Sequence, residues 1–360
     1  MPISKIENSS IEDTAIHGVR NLIINGAMQV AQRGTSFTGL SNGNNQYTLD
    51  RWKWAETATP PYTMSVEQSS TSPDGFSNSL KVTTTSGGTL ASDDLCRVFQ
   101  GIEAQNLQHL QYGSSSAQSL TLSFYVRSNV TGTYVVHFYQ DDGGPRNITR
   151  TYTISAADTW EYKTLTIPGD TAGAIDDNNG RGLNIEFILL AGSDYKGTTS
   201  TTWGSVANAR YANGQTVDIN TTNDTWFLSG CQLEVGDTAT PFEHRSFGDE
   251  LKKCERYYQQ LKALQTSSGT QTTQVLGVYQ AATAMRASAT VGSSGALQVT
   301  DYGNTSKTQS SANISFQHSG NNDFSNRYYP IRLQNFSGLN THRLWQLYNN
   351  TNYIDLDAEL

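Results

Sequence analysis

The sequence predicts a mainly β protein: a jelly-roll β-sandwich, one connecting α-helix, and a second, smaller β domain. Three observations predict it. Apolar and polar residues alternate in segment after segment from Asn21 to about residue 245, between turn signals such as "DDGGP" and "DDNNG". One stretch, Ser246–Leu264, combines clustered charge with helical apolar spacing. Alternation then resumes from Val275 to the end. Composition agrees. Charged residues are 16% and hydrophobic residues 36%, while 18 Tyr, 12 Phe and 6 Trp supply enough aromatic bulk for real cores.

Residues 1–20 carry no sustained period and read as an attachment arm, with a reach of roughly 65 Å if extended. The sandwich spans 21–245. "NLIIN" is a short apolar run and "YTMSVEQ" alternates from Tyr62 to Gln68. "SLTLSFYVRS" sets Leu120, Leu122, Phe124 and Val126 on one face, and "TYVVHFYQ" does the same with Tyr134, Val136 and Phe138. "EYKTLTI", "LNIEFILLAG" and "TWFLSGCQLEV" complete the set. So many period-two segments over one stretch describe antiparallel sheets facing one core. "EAQNLQHL", from Glu103, is a weak helical patch in a connection.

The connecting helix is assigned to 246–265. Ser246 and Asp249 have capping spacing. Leu251, Cys254, Tyr258 and Leu261 fall 3-4-3, a two-heptad seam too short to hold a coiled coil alone. Two readings stay open: a helix packed on its own sandwich, or one lying on a symmetry axis. "QTSSGTQTT" after it reads as flexible. The C-terminal β domain covers 266–360.

The net charge of −8 argues against a general phosphate-binding surface, so no nucleic acid is expected. The absence of an 18-residue apolar run argues against membrane insertion. The N-terminus has no apolar core of a secretory signal. The 3 cysteines, Cys96, Cys231 and Cys254, do not make a disulfide framework, which suits folding in a reducing cytoplasm.

The sequence offers no candidate catalytic or metal-ligating cluster. The 6 histidines show no pair at metal-ligand spacing. "DDNNGRG" at Asp176 fails both registers of a calcium loop and reads as a turn. Asp and Glu are too scattered for a hydrolytic pair to be chosen. Aromatic residues are the better lead, because sugars stack their C–H faces on flat rings and need partners for their hydroxyls. Trp52 and Trp54 in "DRWKW" share one face and read as core. The segment from Ala191 to Asp224 lacks alternation and carries Tyr195, Trp203 and Tyr211 among Ser, Thr, Asn and Gly. It reads either as a neutral-sugar recognition surface or as a loop pinned to its sandwich by Trp203.

"NLIINGAMQVAQRGTS", "YTLDRWKW" and "CQLEVGDTATPFEHRSFGDELKKCERYYQ" together resemble structural proteins of tailed bacteriophages, often tail fibre proteins. The resemblance runs from Asn21 to Leu360, and the "LEVG…TPFEHRS" block with "CERYYQ" is its most specific part. The first domain also resembles a carbohydrate-binding-module type of jelly roll. The resemblance implies a non-enzymatic virion protein, a homotrimeric tail fibre or tail-associated protein contacting host surface polysaccharide. Other virion proteins would be met through residues 1–20. Two alternatives stand beside it, a head fibre or capsid-decorating protein and a glycan depolymerase. No cofactor is assigned. Sandwiches of this type often hold a structural calcium, and no residue here is identified as its ligand.

Overall fold

The alternating segments pair into two antiparallel sheets around one core. The computed structural model describes residues 20–41, 43, 45–57, 62–197, 201–261, 264–267, 272–287, 289–301, 306–311, 313–316, 328–340, 342–347 and 352–360. The chain divides into two compact units, one ending at Phe247 and joined by Leu360, the other Gly248–Glu359. The expected arm lies outside the described residues except for Arg20.

The first unit is a jelly-roll sandwich. Its strands are β1 (Ser36–Leu40), β2 (Gln46–Tyr47), β3 (Lys53–Thr57), β4 (Thr63–Ser69), β5 (Ser79–Ser86), β6 (Leu95–Glu103), β7 (Leu120–Ser128), β8 (Gly132–Gln140), β9 (Arg146–Ile154), β10 (Glu161–Ile167), β11 (Arg181–Ala191), β12 (Gly204–Ser205) and β13 (Thr225–Val235). The first sheet runs β1-β4-β5-β13-β7-β10 and the second β12-β9-β8-β11-β6-β3-β2. The weak helical patch is a 3-10 turn over Ala104–Leu110.

Side chains alternate across each strand, so the inner faces supply the core. Leu120, Leu122, Phe124 and Val126 face Tyr134, Val136, Phe138 and Phe187, all fully buried with Trp52 and Trp54. Phe124 meets Phe187 edge-on at 5.1 Å, and Trp226 donates its indole N–H to the Tyr152 hydroxyl at 3.1 Å. Each such large side chain contributes on the order of 1.5–3 kcal/mol by leaving water. Cys96, Cys231 and Cys254 are buried.

The segments that carry the phage resemblance form a clasp. The Asn21 side-chain oxygen accepts from the Ile23 and Leu233 amides, at 2.9 and 3.0 Å. Gly26 is required, because a Cβ there would lie 2.1 Å from the Cys231 carbonyl oxygen. Asn25, at φ 58°, donates to the Val30 and Asp50 carbonyls, and Trp52 donates to the Asn25 carbonyl. From the other end, Glu243 accepts from the Arg20 and Asn21 amides, while Arg245 donates to the Asn21 and Ile23 carbonyls. These residues close the sandwich across more than 200 positions of sequence, so their distinctiveness reports folding rather than a binding site.

The connecting helix requires correction. Helix α1 covers Phe247–Glu255 only. Tyr258–Leu261 is a strand, β14, paired antiparallel with Ile354–Asp357. The two-heptad seam therefore does not exist as a helix face. Leu251 is half-buried on α1, Cys254 is buried there, and Tyr258 and Leu261 are buried from the strand. Leu261 belongs to the core of the second unit, with Val275, Leu297, Trp345 and Leu356. A partner strand nearly 100 residues downstream outweighs local helical spacing, and Tyr258 suits a strand well. From Gly248 on, the helix belongs to the second unit, as does the strand. The stretch read as flexible begins as a strand too, Gln265–Ser267, bonded on both sides. Its residues 268–271 lie outside the described residues.

Candidate functional site

The segment from Ala191 to Asp224 covers part of the outer face of the second sheet. That face presents Val135 from β8 and Ile188 from β11, which sit opposite each other in register. Two such side chains cannot stay in water without loss, and the segment supplies their cover. Tyr195 and Ala212 join Leu95, Val135, Ile188 and Ala191 in a small core of their own, with Tyr211 packed against it. Asp218 fastens the segment, accepting from the Ala191 amide and from Lys196 at 2.9 and 2.8 Å.

The three predicted aromatics are thereby spoken for. Tyr195 is buried and meets Tyr211 edge-on at 5.9 Å. Tyr211 stacks on His137 with ring centres 4.1 Å apart. Trp203 packs separately. It is half-buried, donates its indole N–H to the Pro168 carbonyl at 2.7 Å, and stands edge-on to Tyr112 at 5.9 Å. The three rings do not converge on one platform. They are the fastenings of a cover.

Below Tyr211 lies a buried polar relay that sequence reading did not find. Arg210 donates through Nε to Asn147 Oδ1 at 2.8 Å, which turns the Asn147 amide nitrogen toward His137 Nε2, 3.0 Å away. With Nε2 accepting, the imidazole carries its hydrogen on Nδ1 and donates to Glu186 Oε2 at 3.0 Å. Asn184 donates to the other Glu186 oxygen at 3.1 Å. Arg97 Nε sits 3.3 Å from Glu186 Oε2, an ion pair out of hydrogen-bond alignment. Burial works to raise the Glu186 pKa. The Arg97 charge and the bonds from His137 and Asn184 outweigh it and hold the carboxyl down at about 2.

Beyond the cover, the same face continues as a side-chain ladder. Register sets His137, Glu186, Phe99, Lys53 and Tyr47 in one row across β8, β11, β6, β3 and β2. Four strand spacings make this row roughly 19 Å long. Tyr139, Asn184 and Gly101 form the next row. Phe99, Asn184 and Glu186 are buried, while Arg33, Tyr47, Lys53, Arg97, Tyr139 and Arg181 are partly exposed above them. Cations and rings alternate. Arg97 lies over Phe99 at 5.6 Å, Lys53 over Phe99 and Tyr47 at 5.7 and 5.2 Å, and Arg33 over Tyr47 at 5.3 Å. Arg181 is ion-paired to Asp141. Among the described residues, Arg97 at Nε and Nη1 and Asn184 at Oδ1 have no hydrogen-bond partner, and these atoms are buried.

Two chemical readings gain nothing from the structure. Among the described residues no group of three His, Cys, Asp or Glu side chains could hold a metal ion. Gly39-Leu40-Ser41-Asn42-Gly43 matches the spacing of a hydrolase nucleophile turn, which the sequence reading passed over. That turn requires a strand leading into a helix. Here the next element after β1 is the strand β2.

No protein-family model and no curated protein matches the chain. Among solved structures, the chain is similar to the enzymatically active domain of tailspike protein 4 of bacteriophage CBA120, at 12% identity and a TM-score of 0.32, over 60% of this chain and 21% of that one. It is similar to a family 11 carbohydrate-binding module from a cellulosomal cellulase of Clostridium thermocellum, at 16% identity and a TM-score of 0.28, over 57% and 96% of the two chains. It is also similar to a C-terminal family 22 carbohydrate binding module of Clostridium thermocellum, at 11% and 0.31, over 58% and 99%. These likenesses concern fold alone. The match to the tailspike spans about a fifth of that chain's length.

Proposed function

We propose that the chain is a non-enzymatic bacteriophage virion protein, a tail fibre or tail-associated protein that contacts host surface glycans through the outer face of its second sheet. The virion role rests on the resemblance of the clasp segments to phage structural proteins. The glycan role rests on one observation. The part of the face beside the cover offers partly exposed Tyr47 and Tyr139 on either side of partly exposed Lys53 and Arg97. Rings for C–H faces and polar groups for hydroxyls are what saccharide recognition needs. The binding surface is thus moved from the Ala191–Asp224 segment to the sheet beside it.

The purified protein is expected to be retained by polysaccharide from the host surface without generating new reducing ends. Release of reducing ends identifies a depolymerase instead, and lack of retention removes the glycan role. Antibody labelling of intact particles is expected at the tail; label on the head identifies the decorating protein.

The homotrimer rests on the likeness to fibre proteins, since the seam that motivated it is divided between α1 and β14. Three copies per assembly are expected from mass measurement at micromolar concentration. Monomer alone under those conditions ends that part of the reading.

A further inference from the structure

The outer face of the first sheet carries rings where alternation would place polar groups. In the edge strand β10 the inward positions Leu165 and Ile167 are buried. The outward line is Trp160, Tyr162, Thr164 and Thr166. Tyr162 is 48% exposed and Trp160 is partly exposed. Large rings in water at a sheet edge are a departure from the usual surface.

The rings continue across the sheet. Tyr162 pairs with Tyr125 of β7, their ring centres 5.0 Å apart. Tyr125 meets Phe76, from the β4–β5 connection, at 5.6 Å. Phe76 meets Phe242 and His244 at 5.0 and 5.2 Å. The register of β13 shifts between Ser229 and Gln232, and Gly230 sits there at φ 57°. A Cβ on it would lie 2.6 Å from the Phe76 ring, so the glycine is what lets that ring lie down on the sheet. Beside Tyr162, Trp160 stands edge-on to Phe227 at 6.0 Å.

Two features define what fits this stripe. The charges its strands present are already matched. Arg127 pairs with Asp158 at 3.0 Å and Lys81 with Glu67 at 2.7 Å, while buried Glu234 accepts from Thr240 and Gln232. A charged partner would find no counter-ion among them. The polar groups of the rings are not matched. Among the described residues, the Trp160 indole N–H and the Tyr125 and Tyr162 hydroxyls have no hydrogen-bond partner, and all three side chains reach solvent. An apolar protein surface laid on the stripe would strand those groups. A neutral sugar offers C–H faces to the rings and hydroxyls to the groups at their rims. The ring-to-ring step along Tyr162, Tyr125 and Phe76 is close to the length of one pyranose residue, so successive sugars meet successive rings.

We propose that Trp160, Tyr162, Tyr125 and Phe76 form a second saccharide-binding surface, selective for neutral sugar chains. It lies on the opposite face of the sandwich from the ladder and stands on its own observations. Tyr162 stacks on a sugar ring, and Trp160 and Tyr125 bond hydroxyls beside it.

The test uses the full chain with soluble dextran, mannan, galactan and mixed-linkage β-glucan. At least one is expected to bind, with affinity that does not fall as salt rises. Tyr162→Ala is expected to weaken that binding about tenfold and to keep the thermal midpoint, because the ring is already half in water. Tyr162→Phe keeps the ring and should keep most of the binding. Hydroxyl-radical footprinting of the unaltered chain should show Tyr162 and Trp160 protected by the bound glycan. Full binding by folded Tyr162→Ala overturns the inference, as does protection confined to the second sheet, and either result leaves the glycan-contact reading standing. Binding of none of the four also overturns it, while retention by host polysaccharide still judges that earlier reading separately. Oligomers that dissociate in Tyr162→Ala, with no glycan bound, make the stripe an interface between copies and overturn it too. If Tyr162→Ala does not fold, the footprint of the unaltered chain decides.

Discussion

Glu186→Ala is expected to destabilise the first unit by about 3–5 kcal/mol at pH 7, the usual cost of removing one partner from a buried ion pair. Glu186 is 3% exposed, and its removal strands Arg97 and leaves His137 Nδ1–H and an Asn184 amide hydrogen without acceptors. The loss has a pH signature. The folded carboxyl is held at about 2, below its ordinary value of 4.5. Protons therefore bind the unfolded chain more readily than the folded one. The contribution is complete above pH 4.5 and fades as pH falls toward 2. Denaturant unfolding of both proteins at pH 7 and near pH 2.5 checks this, with the gap between them expected to narrow in acid. A gap below 1 kcal/mol at pH 7, or one of equal size at both pH values, contradicts the relay described for β8, β9 and β11.

Trp203→Ala is expected to cost about 2–3 kcal/mol, less than the roughly 3–5 of a fully buried tryptophan because the ring is only half-buried. The indole bond to Pro168 and the edge contact with Tyr112 go together. Trp203→Phe keeps most of the ring and loses the donor, and is expected to cost about 1 kcal/mol. Thermal midpoints should follow that order. Amide hydrogen exchange should rise within 201–224 for the alanine variant and little elsewhere. Unchanged midpoint with weakened adsorption would instead make Trp203 a contact residue, and the cover would need another anchor.

Much of the architecture was legible from local pattern. Alternation at Leu120–Val126 and Tyr134–Phe138 named buried residues correctly, and adjacent Trp52 and Trp54 went to the core as their shared face implied. The helix failed where local pattern met a distant partner. Tyr258 and Leu261 fit a heptad as well as they fit a strand, and pairing with Asp357 and Ile354 chose the strand. The aromatic segment lacks strand alternation, but its composition cannot say whether a ring faces solvent or a sheet. Only the presence of Val135 and Ile188 on the outer face answers that.

Alone, the sequence determined which residues of strands such as β7 and β8 line the inner face, because that alternation depends on neighbours two positions away. The tertiary structure decided the ladder, the relay and the open part of the face. Lys53, Phe99, His137 and Glu186 lie on four strands, and their adjacency is a matter of register. A one-residue slip in any of those pairings would send a whole strand's side chains to the other face, and no local spacing encodes which register is taken.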